Sequence, residues 1–346
     1  MNRCRPGRNR ESDPYPIHNA IYPAGKTFNP HNPEQSMKKA VFPILFALMA
    51  LSSLHAQKQA GALSAADLER MDIYEDTLAL LGYAVVNDST PDNRFLATRA
   101  LILKLKEALK SPNSFKYPFK RLQTVSIQYP ADSTFRIFTW QLYVDVNEYR
   151  YYGAIQMNTP DLQLIPLIDR SSDMGEMNLE TAKLTNDKWY GTLCYNIRQV
   201  ETPRGNYYLL FGFDGYKFFT KRKLIDVLTF QDGKPVFGAP VFLSEDQGGN
   251  SFSKSRVLLE YSAEASVKLN YDPTYEMILF DHLEEMGAQY GTEGPQYYPD
   301  GTYEAYKLGR DGLWHYLPKV FDQVSDTPPV PAPLDEKHKR NLFKKQ

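Results

Sequence analysis

The stretch TFRIFTWQLYV, residues 134–144, decides the fold class, because its side chains alternate between the two faces of an extended chain. Alternate positions divide into two sets, Arg136, Phe138, Trp140 and Leu142 against Phe135, Ile137, Thr139 and Gln141. A period of two among aromatic and β-branched residues indicates a β-strand. EYRYYGAIQM, residues 148–157, follows after a short polar break, so the two stretches are predicted to pair as antiparallel strands.

Strand-like stretches continue along the chain, and Asp-Gly pairs separate several of them. The stretches are KWYGTLCYNIRQV (188–200), NYYLLFGF (206–213), KLIDVLTF (223–230), PVFGAPVFL (235–243), SRVLLEYSA (255–263), ASVKLNY (265–271), YEMILFDHL (275–283), TYEAYKL (302–308) and LWHYLPKV (313–320). Because glycine reaches positive φ at low cost, an Asp-Gly pair predicts a tight hairpin turn. These pairs are Asp214-Gly215, Asp232-Gly233, Asp300-Gly301 and Asp311-Gly312.

Two helices are predicted before the strands. Ser64 and Asp67 fit the capping pattern of a helix start, and Gly82 is expected to end that helix. Pro91 opens a second helix, which Pro112 ends. The predicted fold class is therefore α+β, with an N-terminal helical hairpin packed on a large antiparallel β-meander. The corresponding domains are residues 57–118 for the hairpin and residues 119–321 for the antiparallel β domain.

MKKAVFPILFALMALSSLHAQ, residues 37–57, has the pattern of a secretory signal peptide. Lys38 and Lys39 precede an uncharged apolar run, and Ala56 provides a small residue at the cleavage point. The run is too short for a membrane span of about 20 residues. We therefore expect a signal peptide at residues 37–56 and cleavage near Ala56. The mature chain is then periplasmic or secreted and has no transmembrane segment.

The two ends of the chain are predicted to be disordered. Residues 1–36 are rich in proline and show no apolar period, so they cannot bury enough surface to offset their ordering entropy. We interpret them as an extension upstream of the true start at Met37, and a genuine disordered extension is the alternative. Residues 322–346 are rich in proline and then basic, as in a mobile tail.

Charge and cysteine content narrow the function classes. Removing residues 1–56 takes away seven basic and three acidic residues, which changes the net charge from −1 to −5. This balance argues against nucleic-acid binding. Cys194 is then the single remaining cysteine, so no internal disulfide can form, and it is expected in the core. We expect a monomer without a cofactor.

One resemblance covers residues 63–320. SPNSFKYPF, FRIFTWQ with YYGAIQM, KWYGTLCYNI with YYLLFGFDG, KLIDVLTF and PVFG together resemble a family of uncharacterised exported proteins from Bacteroidetes-type bacteria. The closing YPDGTYEAYKLGRDGLW, residues 298–314, also fits that family. The resemblance implies an exported β-rich protein and supplies no catalytic residues.

Motifs for phosphate binding, zinc-dependent proteolysis and serine hydrolysis are absent from the sequence. The mature chain has three histidines, His282, His315 and His338, so no metal site is predicted. Asp281, His282 and Glu284, in LFDHLEE, are weak acid–base candidates. Alternatively, they are solvated charges at a strand end, because neighbours on a strand face opposite sides.

Aromatic residues make up 13% of the chain, and many occur as adjacent pairs. On a strand, one ring of each pair can fill the core while the other faces outward to grip a sugar or a protein. The predicted ligand surface is Tyr297 and Tyr298 in GTEGPQYYPDG, taken as a loop, followed by Asp214 and Tyr216 in FGFDGYKFF. Alternatively, these rings cover a sheet face or pack under the helices.

Two functions remain open at this point. The first is a non-enzymatic envelope protein that binds a glycan, lipid or protein partner, or supports the envelope structurally. The second is a hydrolase of cell-wall or polysaccharide material. Such glycosidases need two carboxylates about 5 to 9.5 Å apart, and no sequence signature selects such a pair.

Overall fold

The computed structural model describes residues 60–321, except residues 176, 204, 246–247 and 288–293. The predicted signal peptide, the segment before it and the tail at 322–346 lie outside the described residues. Two helices come first, α1 (Ala65–Asn87) and α2 (Pro91–Leu109). No helix among the described residues is long and apolar enough to cross a membrane.

Sixteen strands follow in the described part of the chain. They are β1 (Ser126–Gln128), β2 (Phe135–Asp145), β3 (Glu148–Met157), β4 (Leu164–Ile168), β5 (Leu184–Thr185), β6 (Leu193–Thr202), β7 (Gly205–Asp214), β8 (Thr220–Gln231), β9 (Lys234–Phe237), β10 (Phe242–Glu245), β11 (Ser251–Lys254), β12 (Arg256–Ser262), β13 (Leu269–Asp272), β14 (Met277–Met286), β15 (Gln296–Leu308) and β16 (Trp314–Leu317).

The strands form three sheets. Sheet 1 has the order β1-β2-β3-β4, and sheet 2 has the order β5-β9-β8-β7-β6 with β12 also paired to β8. Sheet 3 has the order β11-β10-β16-β15-β14-β13. The named strand pairs are antiparallel except β10 with β16, which is parallel. The prediction of an α+β protein with a helical hairpin and a large antiparallel sheet system is confirmed.

The helices and sheets stack as four layers with three hydrophobic cores between them. The first core lies between the helices and one face of sheet 1. The second lies between the other face of sheet 1 and sheet 2, and the third lies between sheet 2 and sheet 3. Representative residues are Met71, Leu78 and Phe138 in the first core, Phe135, Ile137 and Leu224 in the second, and Leu209, Ile225 and Phe280 in the third.

The helix start was predicted correctly, but the role of Gly82 was not. The hydroxyl of Ser64 accepts a hydrogen bond from the amide of Asp67 at 3.1 Å, so it caps α1. Gly82 was expected to end this helix, yet α1 continues to Asn87. A Cβ at Gly82 would overlap the hydroxyl of Thr124. Glycine is therefore needed for close packing, which no local sequence rule signals.

The Asp-Gly pairs also divide into confirmed and wrong predictions. Asp232-Gly233 forms the two-residue turn between β8 and β9, and both residues have positive φ. Asp300-Gly301 forms no hairpin, because β15 runs through it from Gln296 to Leu308. Residues 300–302 of β15 instead form a β-bulge opposite a single residue of β14, His282. Regular pairing of β14 with β15 continues before and after this bulge.

A buried ion pair lies inside sheet 2. Arg256 on β12 is fully buried and donates to both carboxylate oxygens of Asp226 on β8, at 2.8 and 2.9 Å. The same guanidinium also donates to the carbonyl of Leu179. Burial raises the pKa of Asp226, and the neighbouring guanidinium opposes that shift. Each charge therefore depends on the other to remain inside the core.

Arg256→Leu should lower the free energy of unfolding by about 3–5 kcal/mol, because it leaves the carboxylate of Asp226 buried without its partner. Arg150→Leu is the matched control. Its pair with Glu148 is about half exposed, so the expected loss is below about 1 kcal/mol. Urea denaturation followed by circular dichroism measures both values. Equal losses in the two variants would contradict the assigned role of the buried pair.

Candidate ligand-binding cleft

Segments from all three sheets meet at an open cleft of about 560 Å³. The turn between β2 and β3 contributes Asn147, and the connection between β7 and β8 contributes residues 216–219. The start of β15 contributes Tyr297, and β12 contributes Glu260. The structure thus brings together Tyr216 and Tyr297, which the sequence assigned to two separate candidate stretches.

Buried polar groups beneath the cleft form hydrogen bonds that fix the connection between β7 and β8. Asp214 is buried and accepts hydrogen bonds from the hydroxyl of Tyr190 at 2.6 Å and from the amide of Tyr216 at 2.8 Å. Burial raises the pKa of Asp214, and its hydrogen bonds oppose the rise. Asp214 was predicted as a ligand-binding residue, but it lies under the cleft and anchors the turn.

The turn itself needs a glycine and a strained residue. The amide of Gly215 donates to the hydroxyl of Tyr151 at 2.6 Å. A Cβ at Gly215 would lie 2.9 Å from the ring of Tyr149, so no larger residue fits there without movement. Tyr216 follows with φ of 45°, a left-handed conformation that is uncommon outside glycine. Strain of this kind persists where the surroundings determine it, as Asp214 and Tyr151 do here.

Tyr216 is also fixed through its ring. The guanidinium of Arg222 lies 3.4 Å from the ring centroid, which is a close cation–π contact. Arg222 in turn donates to the carboxylate of Glu260 at 2.8 Å. This ion pair neutralises Glu260, the acid among the described residues that line the cleft. The wall therefore offers an aromatic ring and a polar group in fixed positions.

Phe218 and Phe219 add apolar surface that the sequence did not single out. Their side chains are 55% and 40% exposed, and the two rings meet edge to face with centroids 4.8 Å apart. The amide of Phe218 donates to the side chain of Asn147 at 2.9 Å, which joins the turns of sheets 1 and 2. Both phenylalanines lie within the quoted FGFDGYKFF, but no local signal indicated Asn147 or Glu260.

Tyr297 and Tyr298 lie on a strand, so the prediction that both belong to a loop is wrong. They are part of β15 and pair with Glu285 and Glu284 on β14. The hydroxyl of Tyr297 donates to Glu285 at 3.3 Å. Neighbours on a strand face opposite sides. Tyr297 accordingly lines the cleft, and Tyr298 does not.

The three acid–base candidates do not line this cleft. Asp281 is buried and accepts from the amide of Lys268, and burial raises the pKa of its carboxyl. His282 pairs with Glu304 at 2.9 Å, and that hydrogen bond raises the pKa of the imidazole. Glu284 is exposed on the same strand. Asp281 and His282 therefore have separate partners and form no proton-transfer pair.

Cys194 is buried, as the sequence predicted, and lies in the second core. Burial raises the pKa of its thiol to about 12. A thiol at this position stays protonated near neutral pH and is not a nucleophile.

Comparison with protein-family models, with curated proteins and with solved structures gave no match.

Native protein should resist iodoacetamide at Cys194 at pH 8, because the thiol is buried and protonated. Unfolding in guanidinium should expose it to full modification. Mass spectrometry of the peptide that contains Cys194 distinguishes this residue from Cys4. Modification in the native state at the rate of the unfolded chain would contradict its placement in the core.

Proposed function

We propose that this protein is an exported, non-enzymatic protein that binds a carbohydrate chain in the cleft. The observation that carries the proposal is the meeting of Tyr216, Phe218, Phe219 and Tyr297 at one opening. Aromatic side chains stack on the apolar faces of sugar rings, and nearby polar groups form hydrogen bonds with the sugar hydroxyls. Asn147 and Lys217 provide exposed polar side chains among the lining residues.

The shape of the cleft favours a sugar over the other partners expected from the sequence. A lipid tail is best held in an enclosed apolar cavity, whereas this cleft is open and alternates polar with aromatic groups. A stable protein partner needs a broad patch of about 800 Å² on each side. A sugar of a few rings matches both the volume and the mixed lining.

Hydrolysis is less well supported than binding. A glycosidase needs two carboxylates about 5 to 9.5 Å apart facing the sugar. Among the described lining residues the carboxylate is that of Glu260, and Arg222 bonds it at 2.7 Å. No second carboxylate lines the cleft among the described residues, so the pair that hydrolysis requires is not formed there.

Export and an envelope location are part of the same proposal. They rest on the signal-peptide pattern of residues 37–56 and on the resemblance to exported Bacteroidetes proteins. A glycan of the envelope, or one captured from outside, is the partner that fits this location and the aromatic lining.

Tyr297→Ala should weaken glycan binding about tenfold to hundredfold, because a lost stacking contact is worth about 1–3 kcal/mol. Tyr298→Ala is the matched control, since the neighbouring ring does not line the cleft. A glycan array identifies the sugar, and titration calorimetry with that oligosaccharide compares the variants.

Three results would refute this assignment: no glycan retained by the native protein, equal losses in the two variants, or a measurable turnover of the bound sugar. A lower melting temperature for Tyr297→Ala with unchanged affinity would instead identify this tyrosine as a packing residue.

A further inference from the structure

The bulge in β15 brings three potential metal ligands together where β14 and β15 pair. Residues 300–302 of β15 lie opposite His282 of β14, which places Asp300 beside the imidazole. Glu284 lies two residues after His282 and so faces the same side of β14. One donor atom from each of His282, Glu284 and Asp300 lies within 4.8 Å of the other two.

The imidazole of His282 is oriented by a carboxylate outside this group of three. Its Nδ1 donates to the carboxylate of Glu304 at 2.9 Å, which leaves Nε2 as the nitrogen available to a metal. Glu304 is itself fixed by the hydroxyl of Tyr316. Metal-binding histidines commonly donate their second ring nitrogen to a carboxylate in this way, which fixes the tautomer and increases ligand basicity.

The negative charge around His282 also favours a bound cation. Glu284, Asp300 and Glu304 are three carboxylates around one imidazole. In the described part of the chain, no lysine or arginine forms an ion pair with any of them; the basic partner found there is His282. A bound divalent ion would balance the negative charge of these carboxylates.

We propose that His282, Glu284 and Asp300 bind a divalent transition-metal ion of the Zn²⁺ type. Imidazole favours such ions over Ca²⁺ and Mg²⁺, which take oxygen ligands. Zinc lies about 2.0–2.2 Å from its nitrogen and oxygen ligands, so donors up to 4.8 Å apart must move closer together to bind one ion. Glu284 and Asp300 are exposed. The Oδ1 atom of Asp300 accepts hydrogen bonds from the amide and the hydroxyl of Thr302, both at 2.8 Å, so Oδ2 is the oxygen that Asp300 offers to a metal. Water completes the coordination on the solvent side.

The sequence predicted no metal site, because the mature chain holds too few histidines for a histidine-rich one. One imidazole with two carboxylates needs no further histidine, and the two strands that supply them are brought together by folding. The proposal is independent of the glycan proposal, since it concerns the side of β15 that Tyr298 faces. A bound ion would crosslink β14 to β15 and stabilise that pair.

A second histidine on sheet 3 provides a matched control. His315 pairs with Asp311 at 2.9 Å and is similarly exposed, but this pair has no third ligand in the described structure. Its substitution removes an equivalent imidazole–carboxylate contact without touching the proposed site.

The test uses untagged full-length protein, freed of metal by a chelator and titrated with ZnCl₂ in a calorimeter. CaCl₂ is titrated in parallel. Wild-type protein should bind zinc at one saturable site and bind calcium far more weakly. His282→Ala and Asp300→Asn should each weaken zinc binding at least tenfold, while His315→Ala should leave it unchanged. Glu304→Gln should cost about 10–100-fold, as expected for loss of an orienting partner.

Zinc binding that survives in His282→Ala, or that falls equally in His315→Ala, would overturn the proposal and locate the ion elsewhere. Absence of binding to wild-type protein would also overturn it. Circular dichroism of each variant checks the fold. Asp300→Asn, at an exposed position, keeps the test decisive if His282→Ala does not fold.

Discussion

Sheet 2 is buried on both faces, and the rest of the molecule is arranged around this constraint. Leu210 and Leu224 point into the core shared with sheet 1, while Leu209 and Ile225 point into the core shared with sheet 3. Two covered faces require two further layers, and sheet 1 in turn needs the helices to cover its outer face. A polar side chain in such a sheet must find its partner inside, as Asp226 does with Arg256.

The same constraint places the cleft at the ends of the strands. Since both faces of sheets 1 and 2 are used for packing, the turns at their strand ends are where their aromatic side chains can remain accessible. The cleft is built on this arrangement, because buried Asp214 and Tyr151 hold the turn that presents Tyr216. The buried polar contacts of the interior thereby position the exposed residues.

The β14–β15 pair contributes residues to two separate surfaces, the cleft and the side that carries Glu284 and Asp300. Its alternation directs Tyr297 toward the cleft and Tyr298 to the other side, where Glu284 is its cross-strand neighbour. The bulge at residues 300–302 adds Asp300 to that second side. Because a strand has two independent faces, a change on one side can leave the other side intact.

The sequence by itself determined the period-two strands, the capped start of α1 at Ser64, the turn at Asp232-Gly233 and the core position of Cys194. These features depend on neighbours a few residues away or on composition, so a local pattern records them. Tertiary structure alone decided that Gly82 packs inside a helix and that Asp300-Gly301 is a bulge within β15. It also decided that Tyr216 and Tyr297 share a cleft. These outcomes depend on contacts between distant segments, and the chemistry of a single stretch does not specify which segments meet.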